Sequence, residues 1–153
     1  GNLYPEFVAI AEAIQTQLAT IGVSVEVEQV QWSTFIDRWL ARDFQAFVSF
    51  YSSGNDPDSA LYPAFHTEGS NNTFQFSEDE IDRLLESGRT MTDPEKRRSA
   101  YQNLEVALAE EAPAIFLATR IEFFAVRDTV DGFQPTATQT WASLAQTSIT
   151  SEE

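Results

Sequence analysis

One histidine, no cysteine and 24 acidic residues are the raw material for chemistry in this 153-residue chain. His66 has no second histidine and no thiolate to share a metal with. A zinc site would have to recruit Asp58 and Glu68, an unusual donor set for an ion that favours nitrogen and sulfur. Asp56 and Asp58 do not continue into the ligand ladder of a calcium loop. Glu78, Asp79, Glu80 and Asp82 resemble paired catalytic carboxylates, but they lie where a helix begins, and negative charge there complements the helix dipole. No Gly-x-Ser-x-Gly elbow or phosphate-cradling loop is present. The sequence therefore predicts no catalytic residue, no metal and no cofactor.

The best binding candidate is the stretch Phe50-Tyr51-Ser52-Ser53-Gly54-Asn55, followed by Asp56-Pro57. It leaves an apolar run and enters a helix, and open sheets place ligands at such strand-to-helix turns. Its hydroxyls, its amide and its two aromatic rings are suited to gripping a solute without reacting with it. The competing reading is a plain turn in which Asp56 caps the helix. Trp32 and Trp39, seven residues apart on one helical stripe, either pack in the core or present an edge to the same solute.

These residues need elements to position them. Phe7, Ala11, Ile14 and Leu18 draw an apolar stripe over a helix from about Pro5 to Thr20, which Gly22 ends. Val23, Val25 and Val27 alternate with polar residues, the period of a half-buried strand. Trp32, Phe35, Ile36, Trp39 and Leu40 predict a second helix. Phe44 to Tyr51 predicts a strand buried on both faces. Proline at the first helical position suits a helix from Asp56-Pro57. Thr67 to Thr73 reads as a loop, and Ser77 to Glu80 has capping-box spacing ahead of Ile81, Leu84 and Leu85. Asp93-Pro94 opens a longer helix with Tyr101, Leu104 and Leu108 inside, stopped by Pro113. Two strand-like runs follow, Ile115 to Ala118 and Ile121 to Val126, before a turn at Gly132. From Gln134 the composition shifts to Thr, Ser, Ala and Gln, and Thr147 to Glu153 reads as a frayed end. The alternation of helices and strands predicts an α/β fold, a mixed sheet packed by helices. Residues 1–141 form one domain and 142–153 a tail.

The net charge of −15 narrows the partners. Nucleic acid and anionic lipid both need basic counter-charge, which this chain lacks. Lys96, Arg97 and Arg98 form the one basic cluster, read as solvated. No signal sequence is legible, no apolar run approaches the ~20 residues that span a bilayer, and cysteine usage leaves the redox compartment open.

The order of short strings along residues 4 to 133 resembles the C-terminal lobe of the peptide/nickel-type (family 5) solute-binding proteins of ABC importers. The strings are Ala11-Glu12-Ala13-Ile14-Gln15, Leu18-Ala19-Thr20-Ile21-Gly22, Trp32-Ser33-Thr34-Phe35-Ile36 and Gly54-Asn55-Asp56-Pro57-Asp58. They continue with Gly69-Ser70-Asn71-Asn72, Ile81-Asp82-Arg83-Leu84-Leu85, Thr92-Asp93-Pro94-Glu95-Lys96-Arg97, Tyr101, Ala112-Pro113 and Val130-Asp131-Gly132-Phe133. The resemblance implies a periplasmic-binding-protein-like lobe of a hinged, monomeric, extracytoplasmic receptor. Such a receptor closes on an oligopeptide-sized or sugar-like solute and delivers it to a membrane permease. It also implies that the Phe50–Asp56 loop faces the cleft between lobes, with an aromatic at the Phe50 position beside the solute. Peptide-binding members place an aspartate four residues before the loop proline, to pair with the ligand's ammonium. Here that position is Ser53, which favours a neutral polyol or oligosaccharide. An interaction or sensor module reusing the fold, and a carboxylate hydrolase, are the rival functions.

The charge generates a first expectation. Mutual repulsion is screened as the Debye length falls from ~10 Å at 0.1 M to ~3 Å at 1 M salt. The melting midpoint is therefore expected to rise between low and molar sodium chloride, and a flat or falling midpoint would contradict it.

Overall fold

The computed structural model describes residues 4–51, 54, 56–119, 121, 123–136 and 141–150. Five helices come first: α1 (Pro5–Ala19), α2 (Trp32–Ala41), α3 (Asp58–Phe65), α4 (Asp79–Thr90) and α5 (Pro94–Glu111). Two short strands follow, β1 (Val130–Asp131) and β2 (Ser148–Ile149), with the 3-10 turn Ala142–Gln146 between them.

Local chemistry explains most of the ends. Gly22 takes φ 83° after α1, where the Val23 N–H donates to the Leu18 carbonyl and the Gly22 N–H to that of Ala19. That pair of bonds is a Schellman closure, which favours glycine because its left-handed residue is free of Cβ strain. Asp93 caps α5, its Oδ1 accepting from the N–H groups of Glu95 and Lys96 at 3.0 Å each. The capping box expected at Ser77 does not form. Ser77 Oγ pairs instead with Thr67 Oγ1 at 3.0 Å, and α4 begins at Asp79 without a side-chain cap. A tertiary partner has outcompeted the local one.

Helices α3, α4 and α5 enclose the buried core of Ala64, Phe65, Ile81, Leu85, Tyr101, Leu104 and Leu108. Gly88 makes the closest approach. A Cβ there would come within 2.8 Å of the Tyr101 ring, so the two helices meet at a spacing that a side chain on α4 would disturb. The loop between α3 and α4 is tied by buried Asn72. Its Nδ2 donates to the carbonyls of His66 (3.0 Å) and Phe76 (2.7 Å), and its Oδ1 accepts from the Phe76 N–H at 2.9 Å. Those bonds satisfy an amide that would otherwise be costly to bury.

The expected strands are the main difference. Residues 23–27, 44–51, 115–118 and 121–126 form no ladder among the described residues, and the pairing found there is β1 with β2, antiparallel. Phe44 to Tyr51 is half-buried to exposed, not buried on both faces. A strand is a relation between segments, since its N–H and C=O groups need a neighbour, and periodicity within one segment cannot supply that neighbour. Ile115, Phe116, Leu117, Ile121 and Phe123 are more than half exposed. Within the stretch read as a frayed end, Ser148 and Ile149 pair with Asp131 and Val130.

Leu104 is 0% exposed and Phe123 90% exposed. Leu104→Ala is expected to cost about 2–5 kcal/mol of stability by cavity formation, and Phe123→Ser to stay within about 0.5 kcal/mol. Chemical denaturation of the two variants checks both. Equal losses would show that the core is not centred on α5.

Candidate functional site

The apolar stripe of α2, the segment 44–51 and the start of α3 meet around an open cavity of about 240 Å³. Helix α2 contributes Trp32, Phe35, Ile36 and Trp39. Residues Phe47, Ser49, Phe50 and Tyr51 come from the segment that follows, Ser59 and Ala60 from α3, and Asn71 from the α3–α4 loop. The walls are held by ring contacts: Trp32 stacks on Phe35 at 5.2 Å and lies parallel to Phe50 at 6.4 Å, and Phe47 meets Phe35 edge-on at 5.8 Å. Tyr4, ahead of α1, packs edge-on against both Trp32 and Phe50. Desolvation holds the Tyr51 phenol above its ordinary value.

Of the residues singled out from sequence, Trp32, Trp39, Phe50 and Tyr51 line this one cavity. Both tryptophans are half-buried on its wall, and neither enters the buried core. Gly54 lies against α3, where an added Cβ would come within 2.8 Å of Ser59 Oγ. Ser52, Ser53 and Asn55 lie outside the described residues. Phe35 and Ile36 belong to the same helical stripe as Trp32 and were legible with it. Ser59 and Asn71 reach the cavity only through the fold, and no spacing rule identifies them.

Asp56 does act on the helix start, accepting from the Asp58 N–H at 2.9 Å. It does more. The same oxygen accepts from Arg97 Nη2 at 2.7 Å, while Arg97 Nε donates to the Gly88 carbonyl at 2.9 Å and Nη2 approaches the Tyr101 hydroxyl at 3.3 Å. Arg97 is thus not a solvated member of its basic cluster but a joint between α5, α4 and the loop before α3. Asp58 is paired with Arg89 by charge alone, Nε to Oδ1 at 3.1 Å without a hydrogen bond to that oxygen, and the Arg89 guanidinium lies 3.6 Å from the Tyr62 ring centroid. Both acids beside the loop are thus matched by arginines from α4 and α5.

His66 is buried, its ring stacked on Tyr62 at 4.2 Å. Nδ1 accepts from the Glu68 N–H at 3.0 Å, and Nε2 faces Glu86 at 3.5 Å and Asp82 at 3.9 Å. Its carboxylate neighbours are therefore on α4; Asp58 is not among them, and Glu68 reaches it only through the backbone. Among the described residues no three His, Asp or Glu side chains are placed to hold a metal ion. The acids at the start of α4 are spread between its first turn and the loop, Asp82 accepting from the Thr67 N–H at 2.8 Å.

Residues 2–72 match the family described as bacterial extracellular solute-binding proteins, family 5 Middle. The dipeptide-binding protein DppE of Bacillus subtilis is 35% identical over 113 residues, 72% of this chain and 21% of that protein. Di/tripeptide-binding protein 4 of Pseudomonas aeruginosa is 27% identical over 127 residues, 80% of this chain and 24% of that protein. The solved structure of the oligopeptide-binding protein AppA of Bacillus subtilis, in complex with a nonapeptide, matches the fold with a TM-score of 0.75 at 21% identity, covering 95% of this chain and 29% of that one. The chain spans about a quarter of the length of the relatives it matches.

The Arg97 hydrogen bond, with that from the Asp58 N–H, holds the Asp56 carboxyl below its ordinary value. A carboxyl lowered in the folded state stabilises the fold above its unfolded value, about 4, and loses that contribution as pH falls through the folded value. Asp56→Asn keeps the acceptor for the Asp58 N–H and removes the charge. It is expected to lower the melting midpoint by up to about 4 °C at pH 7 and to match the parent once the pH has fallen through the folded value. A deficit of the same size at both pH values would mean that the loss is not electrostatic.

Proposed function

Because the chain belongs to the family 5 bacterial extracellular solute-binding proteins and folds as an α/β lobe of that class, we propose that it is one lobe of a hinged receptor for peptides, working outside the cytoplasm. The receptor closes over its solute as a monomer and presents it to an ABC permease. Closure confers selectivity by sequestering the ligand between lobes, with no bond made or broken.

The observation that carries this reading is the open aromatic cavity beside the start of α3. It offers rings and neutral hydrogen-bonding groups, the composition of a binding pocket, with neither a histidine nor a carboxylate among its lining residues to act as base. The peptides named for the relatives favour a peptide solute and an import role over a sensor module. A sugar-like solute has no counterpart among the three proteins described above, and the peptide reading replaces it. Ser53 still bears on how a peptide is held. With serine at that position, and Asp56 and Asp58 already matched by Arg97 and Arg89, this loop has no spare carboxylate among its described residues for the ligand's ammonium. The amino terminus is therefore not recognised by charge from this side.

A thermal-shift panel on the full-length receptor tests both levels. Di- to pentapeptides are expected to stabilise it, N-acetylated ones as well as free ones, and oligosaccharides are not. Stabilisation by free peptides alone would overturn the Ser53 reading, because losing one partner of a buried charge pair typically costs about 3–5 kcal/mol. Stabilisation by oligosaccharides alone would overturn the peptide assignment. The 153-residue chain by itself is expected to bind only at millimolar levels, since halving the roughly −8.2 kcal/mol of a micromolar complex leaves about −4.1. Submillimolar calorimetric binding would show that this lobe is a complete site.

A further inference from the structure

Charged residues make up 22% of the chain, which has a net charge of −15, yet the 240 Å³ cavity has none among its described lining residues. Of the acids that flank its lining along the chain, Asp56 and Asp58 are held on Arg97 and Arg89, and Asp37 is exposed on α2. An ammonium, guanidinium or carboxylate entering the cavity would lose water and gain no counter-charge, a transfer that strongly disfavours the ion. An apolar group gains what the ion loses.

Size narrows the choice. A cavity of about 150 Å³ is enough to hold benzene, and whole drug-sized ligands occupy about 300–1,000 Å³. At about 240 Å³ this cavity matches one ring-bearing side chain rather than an entire oligopeptide. Its walls carry the faces and edges of Trp32, Phe35, Trp39 and Phe47, which favour stacked or edge-on aromatic contacts. Ser49 and Asn71 bring neutral polar groups to the same lining, suited to hydrogen bonds from a peptide backbone.

Resting on the peptide-receptor reading and refining it, we propose that this cavity is a specificity subsite for one uncharged, preferably aromatic, side chain of the bound peptide, and that it rejects charged ones. Trp39 and Ser49 are its specificity-determining residues. Trp39 supplies ring surface, and the neutral Ser49 hydroxyl leaves the cavity without a counter-ion.

Calorimetry on the full-length receptor with N-acetylated Ala-Xaa-Ala tripeptides tests this, with Phe, Leu, Lys or Glu placed in turn at each of the three positions. At one position Phe is expected to bind at least about ten-fold more tightly than Lys or Glu, the gain expected from burying a large apolar side chain. Trp39→Ala is expected to reduce that preference to three-fold or less. Ser49→Asp is expected to shift the same position toward Lys while the other two keep their profiles. Tripeptides that bind with no position discriminating more than three-fold would overturn the subsite and leave the receptor reading standing. So would a preference for Phe that survives both substitutions unchanged. Failure of every tripeptide to bind would overturn the peptide reading and the subsite with it.

Discussion

The Arg97 guanidinium, shared between the Asp56 carboxylate, the Gly88 carbonyl and the Tyr101 hydroxyl, is the polar contact that ties the helical core to the loop beside the candidate site, next to the ring contact of Phe65 with Tyr51. Helices α4 and α5 are held together by apolar burial, which is strong but fixes no direction. Apolar packing alone would not set the angle at which the loop before α3 leaves the core. A guanidinium can set it, because its planar fork donates along fixed lines and cannot be deprotonated at physiological pH. With Asp56 anchored, α3 begins where Ser59 and Ala60 face α2, and the cavity acquires its third wall.

The same economy of charge shapes the chemistry of the site. In a strongly acidic chain, two of nine basic residues are placed on the two acids that flank the loop. An exposed ion pair contributes little to stability. Its larger consequence here is local neutrality, since Asp56 and Asp58 are no longer free to recruit a cation. On the proposed reading, selectivity in this lobe rests on aromatic surface and neutral hydrogen bonds.

Large apolar side chains that stay mostly exposed lie elsewhere, Phe116 among them meeting the core only through an edge-on contact with Phe65. Helix α5 ends at Ala112 in a left-handed turn, and the chain then runs through Ile115, Phe116, Leu117, Ile121 and Phe123 with most of that surface exposed. Several such residues in succession have the composition of a strand and lack its neighbour.

The sequence by itself determined whatever is decided within one or two helical turns. Helices α1, α2, α4 and α5 follow from apolar spacing, the start of α5 from Asp93 and Pro94, the end of α1 from Gly22, and the buried face of α5 from Tyr101, Leu104 and Leu108. The grouping of Trp32 with Phe35, Ile36 and Trp39 was legible for the same reason, since residues three, four and seven apart share a helix face. Only the tertiary structure decided that Ser77 would pair with Thr67 rather than cap α4, that His66 would face Glu86, and that Asn71 would join a cavity wall. It alone joined Arg97 to Asp56, 41 residues away. Caps and stripes depend on bonds and contacts that a short segment makes with itself. Ion pairs, strand ladders and cavity walls depend on which segments meet, and the spacing of residues within one segment carries no record of that.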